Sequence, residues 1–188
     1  MGEYEVICTR SERETAPYPC GHSTRSFDEL VDVLCPRSVE VLVDIRTLRR
    51  SRTNPQFNED TFGPSLATAK IRSMPLGALG GLRGKAKGQG PSHNDAWHVP
   101  AFRNYADYAE TLPFREGLRE LLSVAARERT VILRAEAVWW RCHRRIVADY
   151  VLARGLPGVH LFTKTHEEEA TLTPFAKLGD DGGIRYPS

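Results

Sequence analysis

Polar and charged side chains follow three apolar segments of the chain, at the points where those segments end. His22 comes after a short apolar stretch, Asp44 closes a β-branched run, and Glu136 follows a third apolar run. A carboxylate at the end of an apolar strand must be paired, coordinated or directed into a ligand crevice. These residues therefore predict acid–base chemistry, or a divalent metal site that the two carboxylates form with a histidine. The alternative is that Asp44 and Glu136 only form ion pairs with Arg46 and Arg141.

A cysteine lies among cations in the segment WWRCHRR, at the start of a predicted helix. Helix N-terminal amides and neighbouring cations lower a cysteine pKa to roughly 3.5 to 7.5. Cys142 is therefore a candidate nucleophile or metal ligand. His143 beside it is a candidate metal ligand or general base, and a structural hydrogen-bonding role is the alternative. Arg141 and Arg144 are predicted to bind an anion at the same helix start. The alternative is a packing cysteine, because the sixth residue after it is Ala148 and not the arginine of a phosphatase loop.

Charge is unevenly distributed along the chain. Residues 46–87 contain nine lysines and arginines against two acidic residues, a net charge of +7. Such a segment attracts phosphates and other anions. We expect Arg46 and Arg52 to bind a substrate anion, and the rest of the segment either to contact nucleic acid or to be a solvated basic face.

Hydrophobic periodicity predicts strands and helices in alternation. The predicted strands cover 16–20, 39–45, 71–76, 130–133 and 159–162. The predicted helices cover 27–36, 59–69, 104–110, 113–127 and 141–154. Residues 77–100 are predicted to be a glycine-rich loop, and the segment GGIRYPS a small hairpin or an edge strand. This order predicts an α/β fold, a three-layer single domain with a mostly parallel sheet of about five strands, whose ligand crevice lies at the carboxyl edge.

Composition places the chain among ordinary globular domains. It has 188 residues, of which 40% are hydrophobic and 27% charged, and this excludes overall disorder. We expect a polar N-terminal extension over 1–13 and one domain over 14–188. No apolar run approaches the roughly 18 residues that span a bilayer, and the N-terminus is charged. We therefore expect a cytoplasmic protein without a membrane partner, while the oligomeric state stays open.

Several motifs together resemble one family. GHSTRSF, VLVDIR, SRTNPQF, LGG, YADY and above all AEAVWWRCHRRIVADYVL are similar to the prokaryotic family called domain of unknown function 488, from about Gly21 to Pro187. The resemblance implies a single α/β domain and no particular reaction. Relatives typically carry Cys at the position of Arg134 and His at that of Ala170. If the chemistry of the family used two thiols, this chain has lost one of them and that chemistry would be absent here. An arginine on a buried strand needs to face solvent, a carboxylate or an anion, and we expect Glu136 or Asp44 to be the partner of Arg134.

Two functions follow from these residues. The first is an enzyme that acts on an anionic substrate at the carboxyl edge of the sheet, whether a phosphate-bearing small molecule, a nucleotide or nucleic acid. The second is a non-catalytic accessory protein that binds nucleic acid through the 46–87 segment. The first needs Glu136, whereas the second needs only the cations.

Overall fold

A six-stranded, mostly parallel sheet forms the centre of the protein. The computed structural model describes residues 17–85, 90–136 and 143–188. The strands are β1 (Tyr18–Gly21), β2 (Val41–Asp44), β3 (Arg72–Pro75), β4 (Thr130–Arg134), β5 (Val159–Leu161) and β6 (Glu167–Glu169). Their order is β3-β2-β4-β1-β5-β6, with the first five parallel and β6 antiparallel to β5. The predicted fold class is confirmed, with one more strand than expected.

Helices cover both faces of this sheet. They are α1 (Phe27–Leu34), α2 (Glu59–Thr68), α3 (Pro100–Ala109), α4 (Leu112–Ala125) and α5 (Arg144–Leu152). Leu30 of α1 and Phe62 of α2 belong to the apolar core on one face. Tyr105 of α3, Leu118 of α4 and Ile146 of α5 belong to the core on the other. The domain therefore has the predicted three layers.

Local sequence signals fix some helix boundaries better than others. The capping box before α1 is confirmed, because Glu29 N donates to Ser26 Oγ at 3.1 Å and Ser26 N to the Glu29 carboxylate at 2.7 Å. The prediction that α3 begins at Asn104 is wrong. It begins at Pro100. Proline is favoured at the first helical position, because the N–H group that it lacks would have no acceptor within the helix. Gly21 is itself the last residue of β1, whereas the predicted strand ends at residue 20.

The register of the central strands brings their ends to one edge. Gly21 is paired with Arg134 between β1 and β4, and Asp44 with Leu133 between β2 and β4. The chain continues the pairing one residue further, because His22 N donates to Arg134 O at 2.9 Å. Residues that follow these three strands therefore lie side by side.

The C-terminal residues form the hairpin that the sequence predicts. Its strands are β7 (Lys177–Leu178) and β8 (Ile184–Arg185), and Tyr186 beyond it donates a hydrogen bond to buried Asp149 at 2.9 Å. The predicted extension over 1–13 lies outside the described residues. In the described part of the chain, no helix combines the length and apolar character needed to cross a bilayer.

Candidate active site at the carboxyl edge of the sheet

Asp44 and Arg46 form a buried ion pair at the end of β2. Arg46 Nη2 lies 2.6 Å from Asp44 Oδ2, and its Nε donates to both carboxylate oxygens at 2.9 and 3.0 Å. Nη2 also donates to Phe57 O at 2.8 Å. Both residues are at most 4% exposed. Because Nε and Nη2 already have protein acceptors, Nη1 is the nitrogen that Arg46 can offer to a substrate.

His22, at the end of β1, lies against this ion pair. Its Nδ1 is 2.9 Å from Ser23 O, an arrangement that requires a proton on Nδ1. Its Nε2 is therefore an acceptor, and Arg46 Nη1 lies 3.4 Å away. Burial, and then the Arg46 charge, lower the pKa of His22 to about 4. At neutral pH this histidine is uncharged and is a weak base.

Arg134 ends β4, the strand between β1 and β2, and Glu136 follows it. Arg134 Nε lies 3.1 Å from Glu136 Oε2, so that of the two expected partners Glu136 pairs with this arginine, whereas Asp44 pairs with Arg46. The Glu136 side chain is 41% exposed, whereas that of Arg134 is 12% exposed. The negative charge of Glu136 also raises the pKa of His22, although less than burial and Arg46 lower it. Glu136 is thus a solvent-accessible carboxylate at the same edge as Asp44 and His22.

His143 is buried and hydrogen-bonded within the fold. Its Nε2 is 3.1 Å from Leu79 O and donates to that carbonyl, while Arg134 Nη1 lies 2.7 Å from Nδ1 and 3.0 Å from Nε2. Burial, and then the Arg134 charge, hold its pKa well below the usual value. Tyr105 donates to the same Leu79 carbonyl at 2.8 Å. His143 thus joins Arg134 to the loop after β3.

That glycine-rich loop is held closely against the site. Gly81 packs on the His143 ring and on Arg134 Nη1, with no room for a side chain between them. Arg83 turns back to donate to Gly80 O at 3.0 Å and covers the Tyr108 ring, 3.9 Å from its centroid. The described part of the 77–100 segment is a loop, as predicted, apart from a short 3-10 turn over Gly77–Leu79, and its carbonyl groups hold it in place.

Two further guanidinium groups lie at this edge without a carboxylate partner among the described residues. Arg144, the first residue of α5, is 2% exposed. Its Nη2 donates to Glu136 O at 2.6 Å, and its Nε has no acceptor in the part of the chain that the structure describes. Arg25 donates to the carbonyls of Gly21 and Phe162. Sequence analysis missed Arg25, which follows a polar loop, and only its position between the ends of β1 and β5 distinguishes it.

The edge consequently carries more positive than negative charge. Arg46 and Arg134 are paired with carboxylates, while Arg25 and Arg144 are bonded to main-chain carbonyls. Three buried histidines, His22, His143 and His160, have lowered pKa values, with burial as the main cause and arginine charges as a further one. An anion that enters this edge would meet uncompensated positive charge.

The remaining predicted site residues are distributed differently. Arg52 is exposed in the loop after β2, whereas Asp44 and Arg46 are buried. Arg141 and Cys142 lie outside the described residues, so their predicted roles stay predictions. Among the residues that the structure describes, no three histidine, cysteine, aspartate or glutamate side chains lie close enough together to hold a metal ion.

The basic 46–87 segment does not form one continuous surface in its described part. Arg49 is paired with Glu59 at 2.8 Å, and Arg72 with Glu128 at 2.5 Å. Lys70 is exposed but precedes β3, at the opposite end of the sheet from the site. The exposed cations next to the carboxyl edge are Arg50, Arg52 and Lys85.

Comparison with known proteins gives a family and no individual relative. The family model described as "Domain of unknown function DUF488" matches residues 26–151, about two thirds of the chain. That range includes β2, β4 and most of α5, which carry Asp44, Arg46, Glu136 and Arg144. No curated protein and no solved structure gave a significant match.

Proposed function

The chain belongs to the DUF488 family, whose description assigns no reaction, and we propose from its carboxyl edge that it is an enzyme acting on an anionic substrate. The observation that carries the proposal is a pair of guanidinium groups, those of Arg25 and Arg144, that have no carboxylate partner among the described residues. Arg144 is 2% exposed, and a buried charge without a counter-charge costs several kcal/mol, which a bound anion offsets. The Nε–H of Arg144, which has no acceptor among the described residues, can donate a hydrogen bond to such an anion.

Glu136 is the residue to which we assign acid–base chemistry. It is the accessible carboxylate of the edge, and Arg134 fixes its position at 3.1 Å. Asp44 is buried and fully engaged with Arg46, so its role is to orient that guanidinium and, through it, the neutral His22. Cys142 and Arg141 stay candidates for nucleophile and anion ligand, and a divalent metal ion stays an untested cofactor.

The test separates catalysis from binding. Purified protein is assayed with p-nitrophenyl phosphate, nucleoside mono- and triphosphates and single-stranded oligonucleotides, with and without Mg²⁺ or Mn²⁺. Glu136→Gln should lower the turnover of any substrate found by about 10²–10⁴-fold, the usual contribution of a general acid or base, while binding persists. Glu167→Gln is the matched control, because Glu167 forms an Arg–Glu pair with Arg37 at 2.7 Å outside the site. Equal turnover by the Glu136→Gln variant and the wild type would refute the assignment.

The nucleic-acid alternative makes a different prediction about salt. A plot of log affinity against log salt concentration falls with a slope of about 0.7–0.9 for each phosphate that the protein contacts. If Arg50, Arg52 and Lys85 contact a nucleic acid backbone, their replacement by alanine should flatten that dependence. Binding that is lost in this triple variant but unaffected by Glu136→Gln would favour the accessory function over the enzyme.

A further inference from the structure

Two leucine side chains project into solvent beside the candidate site. Leu48 is 71% exposed and Leu82 is 62% exposed. A single exposed leucine is ordinary on a protein surface. These two lie in neighbouring loops, which are joined where Leu82 N donates to Thr47 Oγ1 at 3.4 Å. They therefore form the apolar part of one rim.

Both leucines of this rim are next to residues of the charged edge. Leu48 is two residues after Arg46, and two residues of extended chain span at most about 7 Å. Leu82 directly follows Gly81, which packs against His143 and Arg134. A ligand whose anionic group lies among the arginines would therefore reach the leucines with a group of ordinary small-molecule size.

The rim suits an aliphatic or aryl group better than a stacked nucleobase or a second protein. Residues 46–54 and 76–85 contain no aromatic side chain, although base recognition commonly uses aromatic stacking. Two protruding leucines are also too few for the core of a stable protein interface, which needs about 800 Å² on each partner. The exposed cations nearby, Arg50, Arg52 and Lys85, complement an anion that carries an apolar group.

We propose that Leu48 and Leu82 form a subsite for the apolar portion of the substrate, so that the substrate is an organic anion with an alkyl or aryl group rather than a small inorganic one. The inference rests on the proposed function, since it assumes that the anionic group binds at the carboxyl edge. Binding then removes exposed leucine surface from water, and that surface contributes affinity only when the ligand has apolar surface to cover it.

Calorimetric titration with inorganic phosphate and with hexyl phosphate tests this subsite. Hexyl phosphate should bind the wild type at least about ten-fold more tightly than phosphate, since burial of two methylene groups already gives that factor. The double variant Leu48→Ser/Leu82→Ser should lose the gain and keep its affinity for phosphate. Leu112→Ser is the matched control, because Leu112 is 63% exposed on α4, outside the site.

Each outcome bears on a separate claim. Phosphate binding without any gain for hexyl phosphate overturns the subsite and leaves the proposed anion site intact. Binding of neither anion overturns both. A gain that survives in the double variant, or that Leu112→Ser reduces equally, places the alkyl chain elsewhere and overturns the assignment to these leucines. Tighter binding of AMP than of hexyl phosphate, unaffected by the double variant, would identify a recognised base and contradict an apolar substrate.

Discussion

Replacing Gly81 by alanine should disrupt the contact between the glycine-rich loop and the site. The added methyl group would lie far inside van der Waals distance of His143 Nδ1 and Arg134 Nη1. Neither neighbour can move freely, because His143 is 5% exposed and bonded to Leu79 O, and Arg134 is held by Glu136. The loop must therefore shift outward, or the bonds that His143 makes must break.

The size of the effect follows from these two penalties. Overpacking a tightly packed site costs about 1–3 kcal/mol, and loss of one buried hydrogen bond adds about 1 kcal/mol. We therefore expect Gly81→Ala to reduce the free energy of unfolding by about 2–4 kcal/mol. For a chain of this size, each kcal/mol lowers Tm by about 2–4 °C, so the total should be roughly 5–15 °C.

Urea unfolding and differential scanning calorimetry measure this change. Gly84→Ala is the matched control three residues along the same loop, where an added methyl group would meet no atom within 4 Å. That substitution should be neutral or should stabilise by up to about 1 kcal/mol, because alanine restricts the unfolded chain. Equal stability of the two variants would refute the close packing of Gly81 on His143 and Arg134.

The remaining predictions concern buried charge and thiol reactivity. The pKa of His22 is about 4 in the folded state and about 6.5 in the unfolded state, so the unfolded state binds more protons between these two pH values. The free energy of unfolding should therefore fall by up to about 3 kcal/mol from pH 6.5 to pH 4, and by less in the His22→Gln variant. Urea unfolding at a series of pH values measures this difference. Asp44→Asn leaves Arg46 buried without its carboxylate and should lower the free energy of unfolding by about 3–5 kcal/mol in the same assay. A loss below about 1 kcal/mol, as for an exposed ion pair, would contradict a buried pair. Iodoacetamide below pH 7 should alkylate Cys142 much faster than Cys20, because burial raises the pKa of the Cys20 thiol; equal rates in peptide mass mapping would contradict a reactive Cys142.

The sheet could be predicted from sequence because its inner strands carry their own signal. Val41 to Asp44 is a β-branched run, and its position after a capped helix indicates a right-handed crossover. The edge strand β6 gave no such signal, since it consists of three exposed glutamates and is defined by backbone bonding to β5. Its formation depends on the neighbouring strand and not on its own side chains.

The candidate site could be located but not interpreted from sequence. Strand ends identified Asp44, His22 and Glu136, because parallel strands place their carboxyl ends together. The hydrogen bond of His143 to Leu79 O joins residues that are 64 positions apart in the sequence, so this contact could not be predicted from neighbouring residues. No periodicity indicates which side chain will donate to a distant carbonyl group, and Arg25 was missed for the same reason.

The most direct test of an anion site at the carboxyl edge is an NMR titration of the arginine Nε–H resonances with inorganic phosphate. Burial slows proton exchange, so the Nε–H groups of Arg46 and Arg144 should be observable. We expect phosphate to shift the resonance of Arg144, whose Nε has no acceptor among the described residues, more than that of Arg46, whose Nε is bonded to Asp44. Shifts confined to Arg50 and Arg52, or no shift at Arg144 at saturating phosphate, would contradict it.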